Sequence, residues 1–206
     1  MPFVTFEGVE GCGKSTQLAR AAEALREARR EVLETREPGG TAIGRKIRDI
    51  LMDVGHRDLE PAAEWLLLEA DRSQHVAQTL KPALKTGAFV LCDRYSDSTE
   101  AYQARGRGLD EHIVRLVDAM AREGLVPELT LLYDVDPGLG LERARRRDEG
   151  SGRFESAEMD FHERVRKAYL EIARREPGRV VVISADRPPD EVFSSTWSAI
   201  SGRFGL

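Results

Sequence analysis

A glycine-rich segment near the start of the sequence fits the pattern G-x-x-x-x-G-K-S/T. In such a segment the backbone N–H groups surround the phosphates of a nucleotide, the lysine reaches the β- and γ-phosphates, and the hydroxyl ligates Mg²⁺. We therefore expect Lys14 to act in catalysis and Ser15 to bind the metal. The nucleotide-binding residues predicted for this segment are Gly8, Val9, Glu10, Gly11, Cys12, Gly13, Lys14, Ser15 and Thr16.

A second chemical signal is the pair Asp93 and Arg94, which follows a continuous apolar run at 88–92. An aspartate at the end of a strand beside a phosphate-binding loop helps to hold Mg²⁺, directly or through water. Arg94 would lie at the same carboxyl edge of the sheet, where ligands of open α/β folds bind, and could bind a phosphate through two hydrogen bonds. The alternative is that both residues only pair with neighbours at the strand end.

A third signal is a group of arginines around a glycine-rich segment near residue 150. The group consists of Arg143, Arg145, Arg146, Arg147 and Arg153. Phosphoryl transfer requires mainly positioning and positive charge on the transferred group. We expect a short lid at about 143–155, in which Arg143 binds the nucleotide and Arg153 is catalytic. The other interpretation is a solvated helix face whose arginines pair with neighbouring carboxylates.

Apolar periodicity places these signals on alternating strands and helices. Strands are predicted at 3–6, 31–36, 88–92, 129–135 and 179–183. Helices are predicted at 17–28, 42–52, 60–85, 98–104, 110–122, 140–147, 157–175 and 188–204, and Pro82 should kink or end the third of them. This order predicts a three-layer α/β fold, with a five-stranded parallel sheet flanked by helices, as a single domain over residues 1–206.

Composition narrows the function classes. The net charge of −5 argues against general nucleic-acid binding. The sequence has no apolar run near the roughly 20 residues of a membrane span and no signal peptide before its first strand, so we expect a cytoplasmic protein. Two cysteines give no spacing for zinc and no disulfide framework.

The phosphate-binding loop leaves several classes of nucleotide-binding protein to compare. A regulatory GTPase needs an Asn-Lys-x-Asp motif to read the base, and this chain has no asparagine. A motor ATPase or transporter subunit would be larger or carry further signature segments. A small kinase remains. The alternatives are kinases of other nucleoside monophosphates or of deoxynucleosides, and a regulatory domain that binds a nucleotide without transferring phosphate.

Seven short segments along the chain form a recognisable set. They are Phe6-Glu7-Gly8, Arg36-Glu37-Pro38-Gly39-Gly40-Thr41, Asp93-Arg94-Tyr95, Ala101-Tyr102-Gln103, Asp134-Val135-Asp136-Pro137, Arg153-Phe154-Glu155 and Ala185-Asp186-Arg187-Pro188. Taken together, these segments resemble the bacterial thymidylate kinases. The resemblance follows the family order over nearly the whole chain. It implies a P-loop kinase fold, a homodimer, and Mg²⁺-dependent transfer of the γ-phosphoryl group of ATP to dTMP, giving dTDP and ADP.

The resemblance also implies roles for individual residues. Glu10 matches an acidic residue near the sugar and the metal, Arg187 borders the adenine site, and Arg72 matches an arginine that hydrogen-bonds thymine. Tyr102 would pack under the deoxyribose and disfavour a 2′-hydroxyl. The implied substrate-binding residues are Glu37, Arg48, Leu68, Arg72, Arg94, Ser98, Thr99, Tyr102 and Gln103.

Two positions depart from the family pattern. Leu68 stands where the family usually has a phenylalanine that stacks on thymine. Gly152 precedes Arg153 where the family often has an aspartate, so the cation is kept and a carboxylate that could orient it is lost.

Overall fold

The computed structural model describes residues 1–56, 58–146 and 158–206 of the chain. In this part of the chain five strands form one sheet: β1 Phe3–Glu7, β2 Val32–Arg36, β3 Phe89–Asp93, β4 Leu129–Asp134 and β5 Val180–Ser184. The order is β2-β3-β1-β4-β5, and every pairing is parallel. β1 lies at the centre, where Thr5 is level with Cys92 of β3 and Thr130 of β4. The predicted parallel sheet is confirmed.

Helices connect the strands and cover the sheet. They are α1 Lys14–Glu27, α2 Ala42–Met52, α3 Pro61–His75, α4 Lys81–Lys85, α5 Ser96–Thr99, α6 Glu111–Ala121, α7 Pro137–Arg146, α8 Met159–Arg175 and α9 Pro189–Phe204. Two π-helical segments, Val76–Leu80 and Glu100–Gly106, lie between them. Among the described residues, none of these helices is long and apolar enough to span a membrane.

The side chains of β3 show why helices lie on both faces of the sheet. Phe89 and Leu91 belong to an apolar cluster that includes residues of α1, α8 and α9. Val90 and Cys92 belong to a second cluster with residues of the helical stretch 76–84. Because successive side chains of a strand point to opposite faces, both faces of this apolar strand need a helical layer.

The two π-helical segments widen the helical turn in stretches that carry predicted site residues. The N–H of Lys81 bonds to the carbonyl of Val76, one residue further back than in an α-helix. This wider turn comes just before Pro82, which has no N–H to donate. The long helix predicted at 60–85 is therefore interrupted by a π-helical segment just before Pro82. The second segment, Glu100–Gly106, carries Tyr102 and Gln103.

The segments that follow β1, β2 and β3 are tied together at the carboxyl edge of the sheet. The N–H of Glu37 donates to the carbonyl of Asp93 at 3.0 Å, and the N–H of Arg94 donates to the carbonyl of Phe6 at 3.1 Å. Residues from three distant parts of the sequence thereby meet at one place.

The phosphate-binding loop packs directly against α7 through two glycines. Gly11 has a φ of +67°, and a Cβ atom added to it would lie 1.8 Å from the carbonyl oxygen of Gly140. A Cβ on Gly140 would in turn lie 2.4 Å from the carbonyl oxygen of Glu10. Only glycine at both positions permits this approach.

Replacing Gly11 by alanine should therefore destabilise the protein. A left-handed φ alone costs a non-glycine residue about 1–2 kcal/mol, and the contact with Gly140 adds to it. Gly124→Ala is the matched control, because Gly124 has a φ of +74° but no described heavy atom within 4 Å of an added Cβ. Chemical denaturation should show the larger loss for Gly11→Ala. Equal losses for the two variants would contradict the role of close packing.

Candidate active site

A cavity of about 230 Å³ opens at the carboxyl edge of the sheet. It brings together most of the site residues predicted from the sequence. These are Glu10, Gly11, Gly13, Lys14, Ser15, Glu37, Arg48, Leu68, Arg72, Asp93, Arg94, Ser98, Thr99, Tyr102 and Gln103. Pro38, Met52, Tyr95 and Ala144 also line the cavity, although no role was predicted for these four side chains.

Of the predicted residues that the structure describes, six do not line this cavity. They are Gly8, Val9, Cys12, Thr16, Arg143 and Arg187. Arg143 donates to the carbonyl of Ala185 at 2.8 Å, so α7 is joined to the segment after β5. Arg187 is exposed and hydrogen-bonds Ser195 at 3.2 Å. Arg153, with most of the predicted lid, lies outside the described residues.

The lysine of the phosphate-binding loop folds back onto the loop. Its Nζ donates to the carbonyls of Gly8 and Val9, each at 3.0 Å, and the side chain is buried. The ammonium group therefore lies within the curve of the loop, close to where the phosphates of a nucleotide would be surrounded by N–H groups. The catalytic role of Lys14 stays a prediction.

Ser15 and Asp93, the two residues predicted to bind the metal, are in direct contact. The Ser15 hydroxyl donates to Oδ2 of Asp93 at 2.8 Å. Hydroxyl and carboxylate oxygens are the ligands that Mg²⁺ prefers, and Mg²⁺ commonly uses one or two protein ligands together with substrate phosphates. The pair fits a magnesium ion bound beside a nucleotide.

Arg94 lies at the centre of a polar cluster in the cavity. Its backbone has a φ of +69°, which is unusual for a residue with a side chain. The guanidinium group donates to Glu10 Oε1, Ser98 Oγ and the Tyr169 hydroxyl, each at 3.2 Å. It also lies 4.8 Å from the centre of the Tyr102 ring. These contacts hold the cation at the mouth of the phosphate-binding loop.

Glu10 links the phosphate-binding loop to this cluster. Its Oε1 accepts a hydrogen bond from the Tyr102 hydroxyl at 2.6 Å as well as the one from Arg94. Burial favours the protonated form, but contact with His162 and the positive charges of Arg94 and Lys14 lower the pKa of Glu10 to about 2. The carboxylate is therefore ionised in the folded protein at neutral pH.

Glu7 contacts residues of this cluster, and no role was predicted for it from the sequence. This carboxylate at the end of β1 is fully buried, and it accepts hydrogen bonds from the Tyr95 N–H, the Ser98 hydroxyl and the Tyr169 hydroxyl. Burial raises its pKa to about 7. A glutamate that ends an apolar strand run is the signal that could have identified it.

Arg72 is held by three carboxylates on the other side of the cavity. Its Nε donates to Glu37 at 2.9 Å, and its Nη1 donates to Asp118 at 2.9 Å and to both oxygens of Glu69 at 3.2 Å. Although burial opposes the charged form, these carboxylates hold the pKa of Arg72 well above its usual value. Nη1 also donates to Thr99 at 2.9 Å, so the guanidinium is fixed in one orientation.

Gln103 is oriented in a similar way. Its Nε2 donates to Glu64 Oε1 at 2.9 Å, and Arg107 donates to both oxygens of the same carboxylate. Arg72, Thr99, Gln103 and the carboxylate of Glu37 were predicted from the sequence, but the other carboxylates that orient them, Glu64, Glu69 and Asp118, were not. A buried acidic residue within an amphipathic helix, such as Glu64, would have been the signal.

The buried carboxyl group of Glu69 makes stability depend on pH. Burial raises its pKa from 4.5 to about 7, although Arg72 opposes the shift. The folded state then binds the proton more tightly than the unfolded state, so the free energy of unfolding should fall as pH rises from about 4.5 to about 7. The change corresponds to up to about 3 kcal/mol.

Glu69→Gln removes this titration. The difference in unfolding free energy between Glu69→Gln and the unaltered protein should therefore grow in favour of the variant across the same pH range. Denaturant titrations at several pH values measure it, with Glu163→Gln on the exposed face of α8 as the control. A difference that does not change with pH would refute the prediction.

This arrangement defines a class of protein. An open parallel sheet with a phosphate-binding loop after β1, an aspartate and an arginine after β3, and a second polar pocket in the same cavity is the architecture of a P-loop kinase acting on a small acceptor. A family model described as thymidylate kinase matches residues 6–196. The chain belongs to the thymidylate kinase family.

Individual relatives agree with the family model. The chain is 48% identical to a thymidylate kinase of Solidesulfovibrio magneticus over 96% of its own length and 98% of the relative. It is 48% identical to a thymidylate kinase of Deinococcus radiodurans over 98% of this chain and 97% of the relative. A crystal structure of thymidylate kinase from Ehrlichia chaffeensis superposes with a TM-score of 0.79 at 31% identity, and 97% of each chain is covered.

Proposed function

We infer that this enzyme transfers the γ-phosphoryl group of ATP to dTMP, giving dTDP and ADP. The observation that carries the inference is that Lys14, Ser15, Arg72 and Gln103 line one cavity. A donor site for a nucleoside triphosphate and a hydrogen-bonding acceptor pocket then share one space, which transfer requires. Relatives named thymidylate kinase along nearly the whole chain support the same acceptor.

The charges of the residues around the ATP site indicate their roles in the proposed reaction. The loop around Gly11 binds the β- and γ-phosphates of ATP through N–H groups, and Lys14 follows the negative charge as it moves during transfer. Ser15 and Asp93 would hold Mg²⁺, which would neutralise negative charge on the phosphate oxygens. Arg94 binds the acceptor phosphate, because its guanidinium is fixed at the border of the two sites.

The acceptor side discriminates between bases through groups that are already oriented. Arg72 is fixed by Glu37 and Asp118, so it can donate to a thymine carbonyl without losing side-chain entropy on binding. Gln103 is fixed by Glu64 and presents the second polar contact. Tyr102 and Arg48 line the same cavity, where Tyr102 would pack against the deoxyribose and Arg48 would assist Arg94 at the acceptor phosphate.

Leu68 offers a test of the base pocket. It lines the cavity at the position where the family usually has a phenylalanine, and leucine cannot supply base stacking worth about 1 to 3 kcal/mol. Leu68→Phe should lower the KM for dTMP by about 2- to 10-fold with little change in kcat, because the added contact is present in both ground and transition states. A dTMP titration measures the change, and an unchanged KM would show that residue 68 does not touch the base.

Phosphoryl transfer itself is tested by product analysis. Incubation with ATP, MgCl₂ and dTMP should give dTDP and ADP in equal amounts, separated by anion-exchange chromatography. ADP formed without dTDP would identify the enzyme as a hydrolase and would contradict the inference.

We also propose that residues 1–206 act as one kinase domain in a cytoplasmic homodimer. Ile113, Leu116 and Met120 are exposed on one face of α6, which packs on α3 through Trp65 and Val114. A contiguous exposed apolar face of this kind is typical of an interface. Light scattering during gel filtration should give twice the mass of the 23.0 kDa chain. A single-chain mass at micromolar concentration would contradict the homodimer.

A further inference from the structure

His162 on α8 is buried, and the contact that lowers the pKa of Glu10 is the one part described for it so far. Its side chain is 0% exposed, and its ring lies edge-on to Phe161 with 5.3 Å between the ring centres. Among the described residues, neither ring nitrogen makes a hydrogen bond of normal geometry. A buried imidazole in which neither nitrogen has a hydrogen bond of normal geometry is uncommon, because burying a polar group without a partner costs free energy.

The imidazole lies beside the carboxylate of Glu10. Nδ1 of His162 lies 3.3 Å from Glu10 Oε2, and this oxygen also has no hydrogen bond of normal geometry within the described residues. The other oxygen, Oε1, accepts from both Arg94 and Tyr102. The two oxygens of one carboxylate therefore have different neighbours, Arg94 and Tyr102 at Oε1 and His162 at Oε2.

The different partners of the two Glu10 oxygens matter for Arg94, the residue proposed to bind the acceptor phosphate. A carboxylate with a donor on Oε2 is held in place and shares its charge between two sides. Without that donor, Glu10 is free to rotate towards Arg94 and to bind it with both oxygens. The tighter pair would compete with a phosphate for the same guanidinium group.

We propose that His162 is a positioning residue for phosphoryl transfer. It holds Glu10 through Nδ1, so that Glu10 keeps Arg94 and Tyr102 in place without withdrawing Arg94 from the acceptor phosphate. The inference rests on the proposed roles of Glu10 and Arg94. It also explains why the first turn of α8 packs against the phosphate-binding loop through a polar side chain.

A double-mutant cycle between His162 and Glu10 tests this proposal. His162→Leu should lower kcat/KM for dTMP by about 10- to 100-fold, since a contact to a charged group is lost. In a Glu10→Gln background the same substitution should lower it by less than about 3-fold, because the partner has already been changed. His162→Asn should keep kcat/KM within about 5-fold, because its amide nitrogen occupies the place of Nδ1. Glu163→Gln, next along α8 and exposed, is the control.

Other outcomes of the double-mutant cycle would overturn the proposal or the role of Glu10 on which it rests. An equal loss from His162→Leu in both backgrounds would mean that His162 acts only in packing, and this would overturn the proposal. Activity of Glu10→Gln at the unaltered level would instead refute the proposed role of Glu10 itself. If thermal melts show that His162→Leu does not fold, Asn and Gln are compared at position 162. Gln places its amide one atom further out and should be clearly less active, and equal activity of the two variants would overturn the proposal.

Discussion

Lys14→Ala is expected to lower kcat by about 10²- to 10³-fold, the usual loss for one preorganised donor to developing charge. The ammonium group lies within the loop, where its Nζ bonds to the carbonyls of Gly8 and Val9. It follows charge that shifts between phosphates during transfer, so its loss is felt mainly in the transition state. Steady-state rates at saturating ATP and dTMP measure the effect.

The exposed residue Lys46 on α2 provides the matched control for this variant. Lys46→Ala removes the same side chain far from the loop and should leave kcat unchanged. Thermal melts of both variants exclude unfolding as the cause of a lost rate. A kcat of Lys14→Ala within a few-fold of the unaltered enzyme would remove Lys14 from the mechanism.

Arg94→Ala should have an effect at least as large, a loss of about 10³-fold or more in kcat/KM for dTMP. Arg94 is the cation at the border of the two sites, and its planar group can bind a phosphate through two parallel hydrogen bonds. Arg94→Lys should recover only a small part of the loss, because an ammonium group cannot reproduce this geometry.

The control for Arg94 is Arg174→Ala, which removes an exposed arginine from the end of α8. It should leave kcat/KM unchanged. Full recovery of activity by Arg94→Lys would show that charge alone is needed at this position, and it would contradict phosphate binding by two hydrogen bonds.

The sequence predicted the sheet and the phosphate-binding loop well because their signals are local. β3 reads as an unbroken apolar run, and Asp93 follows it directly. The glycines that surround Lys14 lie next to it in the chain, so the loop needs no distant contact to be identified. Predicted strand ends differ from the structure by only a residue.

Several of the groups that orient the site could not be predicted because they are distant in sequence from the residues that they contact. Asp118 is 46 residues from Arg72, and Glu7 is 162 residues from Tyr169, yet each pair is hydrogen-bonded. No periodicity records such a contact. The π-helical turn at Glu100–Gly106 also has no signal of its own, since its residues favour an ordinary α-helix. Packing of the whole fold determines these features.

We propose that the acceptor pocket is selective for dTMP over other nucleoside monophosphates. The most direct test measures kcat/KM with ATP for dTMP, CMP, GMP and AMP by coupled ADP release. The value for dTMP should exceed each of the others by at least about 10³-fold, because the wrong bases leave the buried groups of Arg72 and Gln103 without partners. An equal or higher value for CMP, GMP or AMP would contradict the account.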